Sequence, residues 1–169
     1  MDKKCEVLLG QKVTDIITGI EGICIGITQY LYGVERIEIQ PPLKGDGAVP
    51  DTVTIDVNRL RVIDNNPVMQ YDSKPLTFEI GQTGLDPISG YKGIVVGYCD
   101  YISGCRRVGL QQKYNPSVHK EFDTGMWFYE NQLEFINSAK ENKVKVSEND
   151  RKTGGPGMMP AFKHNESKR

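Results

Sequence analysis

The sequence contains one glycine-rich pattern twice, 71 positions apart, and this duplication limits what the chain can fold into. Residues 18–33 read TGIEGICIGITQYLYG, and residues 89–104 read SGYKGIVVGYCDYISG. The match extends outward at the same spacing, so that Gly10 matches Gly81 and Gln40 matches Gln111. A further match, of IDVNRLRVI (55–63) with FYENQLEFI (128–136), has a spacing of 73 and places a two-residue insertion in the middle loop of the second copy. We therefore predict two copies of one small domain.

Each copy has the turn signals of short β-strands. A strand ends near Asp15 or Asp86, a glycine turn follows, and two strands then flank a tight hairpin turn at Gly33 or Gly104. After a variable loop come another strand, one helical turn and a last strand. Five short strands with a helical turn before the last predict a small SH3-like barrel. The predicted fold is thus all-β, with two tandem SH3-like five-stranded barrels over residues 1–64 and 76–137, a linker at 65–75 and a flexible tail at 138–169 that contains TGGPGMMP.

The front half of each copy resembles the KOW-type motif, in which a glycine-punctuated strand–turn–strand opens an SH3-like barrel. The first copy carries it as GxxVxDxxTGxxGIxxG, and the second departs from it with Gly84 and Pro87 in place of Val13 and Ile16. This resemblance implies binding to RNA, ribosomes or other proteins. Through TGxxGIxxG…YxxG the whole chain also resembles small accessory proteins of tailed phages, which implies a place in the host cytoplasm or in the virion.

Strict alternation along the strands predicts which side chains face each core. It places Ile23, Ile25 and Ile27 inside the first barrel, Ile94, Val96 and Tyr98 inside the second, and Ile37 and Ile39 beside the former. The outward residues that are identical in both copies are Gly26, Tyr30, Arg36 and Gln40, with Gly97, Tyr101, Arg107 and Gln111 as their mates. Two interpretations stay open: these residues bind a ligand or partner, joined by Arg106, or they hold one barrel to the other.

Other repeated residues have structural interpretations. We expect positive φ at the four turn glycines and a bracing role for the two aspartates beside them, namely Gly19, Gly22, Gly90, Gly93, Asp15 and Asp86. Trp127, the single tryptophan, is predicted to pack in a core.

Several classes of function find no support in the sequence. A net charge of −1 disfavours binding to long nucleic acid, and no apolar stretch reaches membrane-spanning length. The cysteines form no CxxC pair, which predicts reduced thiols and no zinc site. His119 and His164 are the only histidines, and neither accompanies a nucleophile at a recognisable spacing. We predict no enzyme activity, no cofactor and no metal.

The predicted function is that of a non-catalytic accessory binding protein, and three kinds of target remain open. The first is a small anionic ligand, such as a cyclic dinucleotide signal that the protein would sequester as a counter-defence in the host cytoplasm. Tyr30 and Tyr101 would stack on its bases, while Arg36, Arg106 and Arg107 would meet its phosphates. The second is a virion head or tail. The third is a host transcription or translation protein. Homo-oligomerisation is possible in each case.

Overall fold

The computed structural model describes residues 6–117 and 125–136, which form ten β-strands and two single-turn 3-10 helices. The strands are β1 (Lys12–Asp15), β2 (Glu21–Tyr30), β3 (Arg36–Gln40), β4 (Val53–Asp56), β5 (Leu60–Asp64), β6 (Thr83–Leu85), β7 (Lys92–Tyr101), β8 (Arg106–Gln111), β9 (Met126–Tyr129) and β10 (Glu134–Ile136). The 3-10 turns, Val57–Arg59 and Glu130–Gln132, each precede the last strand of a copy. The all-β prediction is confirmed. The predicted tail, His119 and His164 lie outside the described residues.

All ten strands belong to one open antiparallel sheet. The first copy, repeat 1, pairs in the order β5-β1-β2-β3-β4, and the second, repeat 2, in the matching order β10-β6-β7-β8-β9. The two sets join where residues 26–30 of β2 pair with residues 97–101 of β7. We call this pairing the seam. The seam is possible because β1 and β6 pair only with the first residues of β2 and β7. The main-chain groups of the remaining residues on the same edge of β2 and β7 are therefore available to pair with each other. Two separate closed barrels, as predicted, are not what the sheet forms.

Each repeat has its own hydrophobic cluster on the same side of the sheet, here called the core side. The larger cluster belongs to repeat 1 and is built from buried aliphatic residues, including Val13, Ile37 and Ile39, which are fully buried. The cluster of repeat 2 is aromatic at its margins and is built around Val95, Val108, Leu110, Phe78 and Leu133. The prediction that Ile37 and Ile39 face the core is therefore confirmed, and Val108 and Leu110 occupy the matching positions in repeat 2.

The prediction for the second strand is wrong at two of its three inward positions in each copy. Cys24 is fully buried in the cluster of repeat 1, whereas Ile23 and Ile25 are only half-buried and outside it. A β-bulge between Cys24 and Gly26 shifts the register with β3 by one residue, so that the alternation reverses at that point. The same bulge between Val95 and Gly97 puts Val95, not Ile94 or Val96, into the cluster of repeat 2. Beyond the bulge, Ile27 and Tyr98 pack against the clusters as predicted.

The linker, residues 65–75, contains no helix or strand and is attached to both repeats. The backbone N–H of Val68 donates to the carbonyl of Gly10 at 3.0 Å, and Tyr71 packs against the cluster of repeat 1. Arg106 of repeat 2 donates to the carbonyl oxygens of Lys74 at 2.7 Å and Pro75 at 3.2 Å. The linker is therefore held against the folded sheet at both of its ends.

Candidate ligand-binding surface

The side of the sheet opposite the clusters, here called the outer face, carries the matched glycines and tyrosines at the seam. Gly26 is the register partner of Tyr101, and Tyr30 is the register partner of Gly97. A methyl group at Gly26 would stand 3.4 Å from Cδ1 of Tyr101, and one at Gly97 would stand 3.2 Å from Cδ1 of Tyr30. Each ring thus covers the glycine of the other repeat, an arrangement known to support glycines in sheets. These four residues hold repeat to repeat, whatever else the rings contact.

The matched arginines lie on the outer face, one on each side of the seam, and have different neighbours. Arg36 forms an ion pair with Asp56, in which its Nε lies 3.1 Å from Oδ1, and its Cζ lies 5.9 Å from the ring centroid of Tyr30. Arg107 instead donates from Nη2 to the hydroxyl of Tyr129 at 3.2 Å, and its Cζ lies 4.9 Å from that ring centroid. No carboxylate among the described residues lies within 4.0 Å of Arg107. Within residues 6–117 and 125–136, the exposed charge of Arg107 is therefore not compensated by a carboxylate.

Trp127 belongs to the outer face and not to a core, which corrects the prediction. It is 39% exposed and is the register partner of Gly109, where a methyl group would stand 3.2 Å from the indole ring. Its ring meets that of Tyr30 edge to face, with centroids 6.3 Å apart. The sequence signal for this placement is Gly109 itself, which stands where repeat 1 has Glu38 and leaves room for a large ring on the neighbouring strand.

A shallow depression of about 300 Å³ lies beside Arg107, between the end of the β7–β8 hairpin and β9. Its walls are Tyr101, Ser103, Cys105, Arg107 and Tyr129. Burial raises the pKa of Tyr101 to about 12. The depression therefore combines one cation, hydroxyl groups and two aromatic rings in a small space.

Arg106 does not join the other two arginines. It pairs with Asp100 on the core side and is 7% exposed. Its Nε lies 2.6 Å from Asp100 Oδ1, its Nη1 lies 3.4 Å from Glu130 Oε2, and its remaining donors serve the linker carbonyls described above. Its donors are thus engaged within the chain, so a phosphate group would have to displace them.

The matched glutamines mark the ends of β3 and β8. The side-chain amide of Gln40 donates to the carbonyl oxygens of Pro41 at 3.2 Å and Pro50 at 3.0 Å, which ties it to the loop after β3. Gln111 lies at the corresponding end of β8, opposite Ile94. The structure thus gives Gln40 a role in fixing its own loop.

A cavity of about 890 Å³ lies on the core side where the two repeats and the linker meet. Among the described residues that form its walls are four carboxylates, Glu6, Glu35, Asp72 and Asp100, and no lysine or arginine. Asp100 is paired with Arg106, but the other three carboxylates have no cation within 4.0 Å among the described residues and would repel phosphates. The outer face is the better place for an anion.

The glycine turn between the first two strands of each copy is braced as predicted. Asp15 accepts hydrogen bonds from the backbone N–H groups of Ile17 and Thr18 and from the hydroxyl of Thr18, the last at 2.6 Å. Arg59 lies 2.5 Å from the same carboxylate and, with the Thr18 hydroxyl, holds the pKa of Asp15 well below its ordinary value. Asp86 repeats the arrangement, with the hydroxyl of Ser89 as the main cause of its lowered pKa.

The turn glycines divide into two kinds. Gly19 and Gly90 have φ of 73° and 74°, as expected for the left-handed region. The expectation is wrong for Gly22 and Gly93, which do not have positive φ. They pack directly against the backbone of Gln40 and of Gln111, where a methyl group would have no room. Their requirement for glycine is therefore close approach between strands.

Within the described ranges, no group of three His, Cys, Asp or Glu side chains could hold a metal ion. No helix in these ranges is long and apolar enough to span a membrane. No family model matches the sequence, and no curated protein or solved structure matches it either.

Proposed function

We propose that this chain is a non-catalytic binding protein that holds a small anionic ligand of the nucleotide type on the outer face of its sheet. The observation that carries the proposal is the setting of Arg107, an exposed cation that has a tyrosine and no carboxylate beside it among the described residues. Three further rings lie on the same face at and beyond the seam, those of Tyr30, Tyr101 and Trp127. Guanidinium groups suit phosphate, and aromatic rings suit bases.

The buried thiols support binding rather than catalysis. Burial raises the pKa of Cys24 to about 12 and also raises the pKa of Cys99, so neither is a thiolate at neutral pH. The carboxylate of Asp15 is neutralised by Arg59 and committed to its turn, which leaves it unsuited to proton transfer. Cys24, Cys99 and Asp15 therefore have structural roles, in packing and in bracing a turn.

The finer fold assignment belongs to the same proposal. Each half has the strand order of an SH3-like unit, and the 3-10 turn lies before its last strand. We interpret the halves as two SH3-like units that the seam has merged into one sheet. The resemblance to KOW-type motifs and to phage accessory proteins then gives a setting, namely sequestration of a nucleotide signal in the cytoplasm of a host cell.

Thermal unfolding of the full chain with a panel of mononucleotides and cyclic dinucleotides tests the proposal. A true ligand present at one hundred times its dissociation constant should stabilise the fold by about 2.7 kcal/mol. The matched control is Arg107→Gln, which keeps a polar side chain and removes the charge. No shift with any member of the panel, or an equal shift in Arg107→Gln, would refute the proposal.

A protein partner on the same surface is the second candidate, because tryptophan, tyrosine and arginine are the residues enriched at the energetic centres of protein interfaces. Trp127 and Tyr129, at 39% and 46% exposure, would be the anchors. The partner would be a virion component or a host protein. Recovery of the chain with purified particles or host lysate, lost in Trp127→Ala, would favour this candidate over the nucleotide.

A further inference from the structure

We propose that the nucleotide-type ligand binds once per chain, at Arg107, and that Asp56 and Glu38 prevent a second ligand from binding at the equivalent position in repeat 1. The inference rests on the proposed function and names which half of the surface performs it. It predicts that the duplicated pattern does not give a two-fold site.

The two repeats can be compared position by position across the outer face. Arg36 and Arg107 are equivalent, but their register partners on the next strand are Asp56 and Tyr129. In the neighbouring row, Gly26 and Gly97 are equivalent, and their partners are Glu38 and Gly109. Where repeat 2 has a ring and a glycine, repeat 1 thus has two carboxylates.

The carboxylates change what an anion meets in repeat 1. Asp56 lies 3.1 Å from Arg36 and neutralises it, so a phosphate would have to displace an existing ion pair. Glu38 is held in place, since its Oε1 accepts a hydrogen bond from the hydroxyl of Thr52 at 2.9 Å. The charge of Asp56 is spent on Arg36, whereas the carboxylate of Glu38 has no cation within 4.0 Å among the described residues and repels an approaching anion.

The side-chain volumes act in the same direction. Gly109 lets the indole of Trp127 lie against the sheet and provides a flat surface beside Arg107. At the equivalent position in repeat 1, the side chain of Glu38 occupies the surface and the next strand offers Thr54. Repeat 1 therefore has neither an available cation nor a ring for stacking on its outer strands.

A ligand with one phosphate and one ring fits this arrangement better than a two-fold ligand. A cyclic dinucleotide bound across the seam would place one phosphate at Arg107 and the other beside Asp56. We therefore expect a mononucleotide such as AMP to use the site fully, and cyclic di-AMP to gain nothing from its second half.

Calorimetric titration of the full chain with AMP and cyclic di-AMP, with native mass spectrometry to count bound ligands, tests the inference. We expect one AMP per chain. Arg107→Gln should weaken binding at least about tenfold, because it removes a charge-assisted contact, whereas the matched change Arg36→Gln should leave the affinity within about twofold.

A gain of function provides the second test. Asp56→Tyr, Glu38→Gly and Thr54→Trp together copy the outer-face residues Tyr129, Gly109 and Trp127 into repeat 1 and should raise the stoichiometry to two. The backbone is suited to this change, because Asp56 (φ −65°, ψ 134°) and Tyr129 (φ −69°, ψ 139°) have the same conformation and Asp56 makes no capping hydrogen bond. If this variant fails to fold, the arginine pair alone decides.

The outcomes separate the two proposals. Two equivalents of AMP in the wild type, equal losses in the two arginine variants, or a folded gain variant that still binds one equivalent overturns the inference and leaves the proposed function standing. No binding of either probe by the wild type overturns the inference, and the proposed function falls as well only if the whole nucleotide panel gives no shift in thermal unfolding.

Discussion

The seam makes a sharp prediction about two glycines that are equivalent in sequence and differ in their surroundings. A methyl group at Gly97 would lie 2.5 Å from the backbone oxygen of Gln29, which cannot move away without disturbing the pairing of β2 with β7. The three atoms nearest to a methyl group at Gly26 would all belong to side chains, namely Cβ and Oε2 of Glu38 at 3.2 Å and Cδ1 of Tyr101 at 3.4 Å. Neither glycine has positive φ, so alanine is not excluded by backbone conformation.

The expected magnitudes follow from the two geometries. Overpacking costs about 1–3 kcal/mol, and replacing glycine by alanine returns about 0.4–1 kcal/mol through the unfolded chain. Gly97→Ala should therefore lower the free energy of unfolding by about 2 kcal/mol, because its clash is with main chain. Gly26→Ala should change it by no more than about 0.5 kcal/mol, because Glu38 and Tyr101 can shift.

Urea unfolding followed by circular dichroism measures both free energies, and calorimetry gives the corresponding melting temperatures. At about 4 °C per kcal/mol for a protein of this size, Gly97→Ala should melt about 8 °C below the wild type. Gly26→Ala serves as the matched control for the chemical change itself. Equal effects of the two substitutions, or a Gly97→Ala protein as stable as the wild type, would refute the seam as described.

Three further predictions concern groups away from the seam. Arg106→Met should destabilise the fold by about 3 kcal/mol, since it leaves two partly buried carboxylates without their cation, and a denaturation midpoint equal to that of the wild type would contradict this. Asp15 has a lowered pKa in the folded state, so its contribution is present above about pH 4 and is lost as the pH falls further. Asp15→Asn should therefore lower the free energy of unfolding at neutral pH and make it depend less on pH below about pH 4. Denaturation curves measured from pH 7 downward check this. If the pairing were unimportant, the free energies of the variant and the wild type would fall in parallel. In a chain with Cys5 replaced by serine, a thiol reagent should modify exposed Cys105 in the native protein and reach Cys24 only after unfolding, and modification of both at one rate would disprove the burial.

Much of the fold follows from the repeat and its turn signals, and the failures have a common cause. Strand boundaries, the 3-10 turns and the aspartate brace depend on local chemistry that the sequence shows directly. The predicted sides are wrong only before the bulge in β2 and β7, because one bulged residue, Ile25 or Val96, breaks the period of two on which the alternation depends. A bulge is decided by the pairing partner, which a single strand's sequence does not specify.

The candidate surface was predictable only in part, for a similar reason. The repeated outward residues included Arg107, Tyr30 and Tyr101, which do lie on the outer face. Arg106, which was predicted to meet phosphates together with Arg107, lies on the core side, because neighbours on a strand point to opposite sides. Trp127 can lie on the outer face because Gly109 on the neighbouring strand leaves room for its ring. That pairing is known only once the strand register is known.

The seam also explains how the outer-face residues of repeat 1 and repeat 2 could come to differ. A half-length chain that joined with its own copy through this strand would be a symmetric dimer, and every substitution in it would appear twice. With both copies encoded in one polypeptide, repeat 2 could have Tyr129 at the position where repeat 1 has Asp56. Covalent fusion thus removes the requirement for symmetry. The outer face of repeat 2 can then acquire residues for binding, while that of repeat 1 keeps residues that stabilise the sheet.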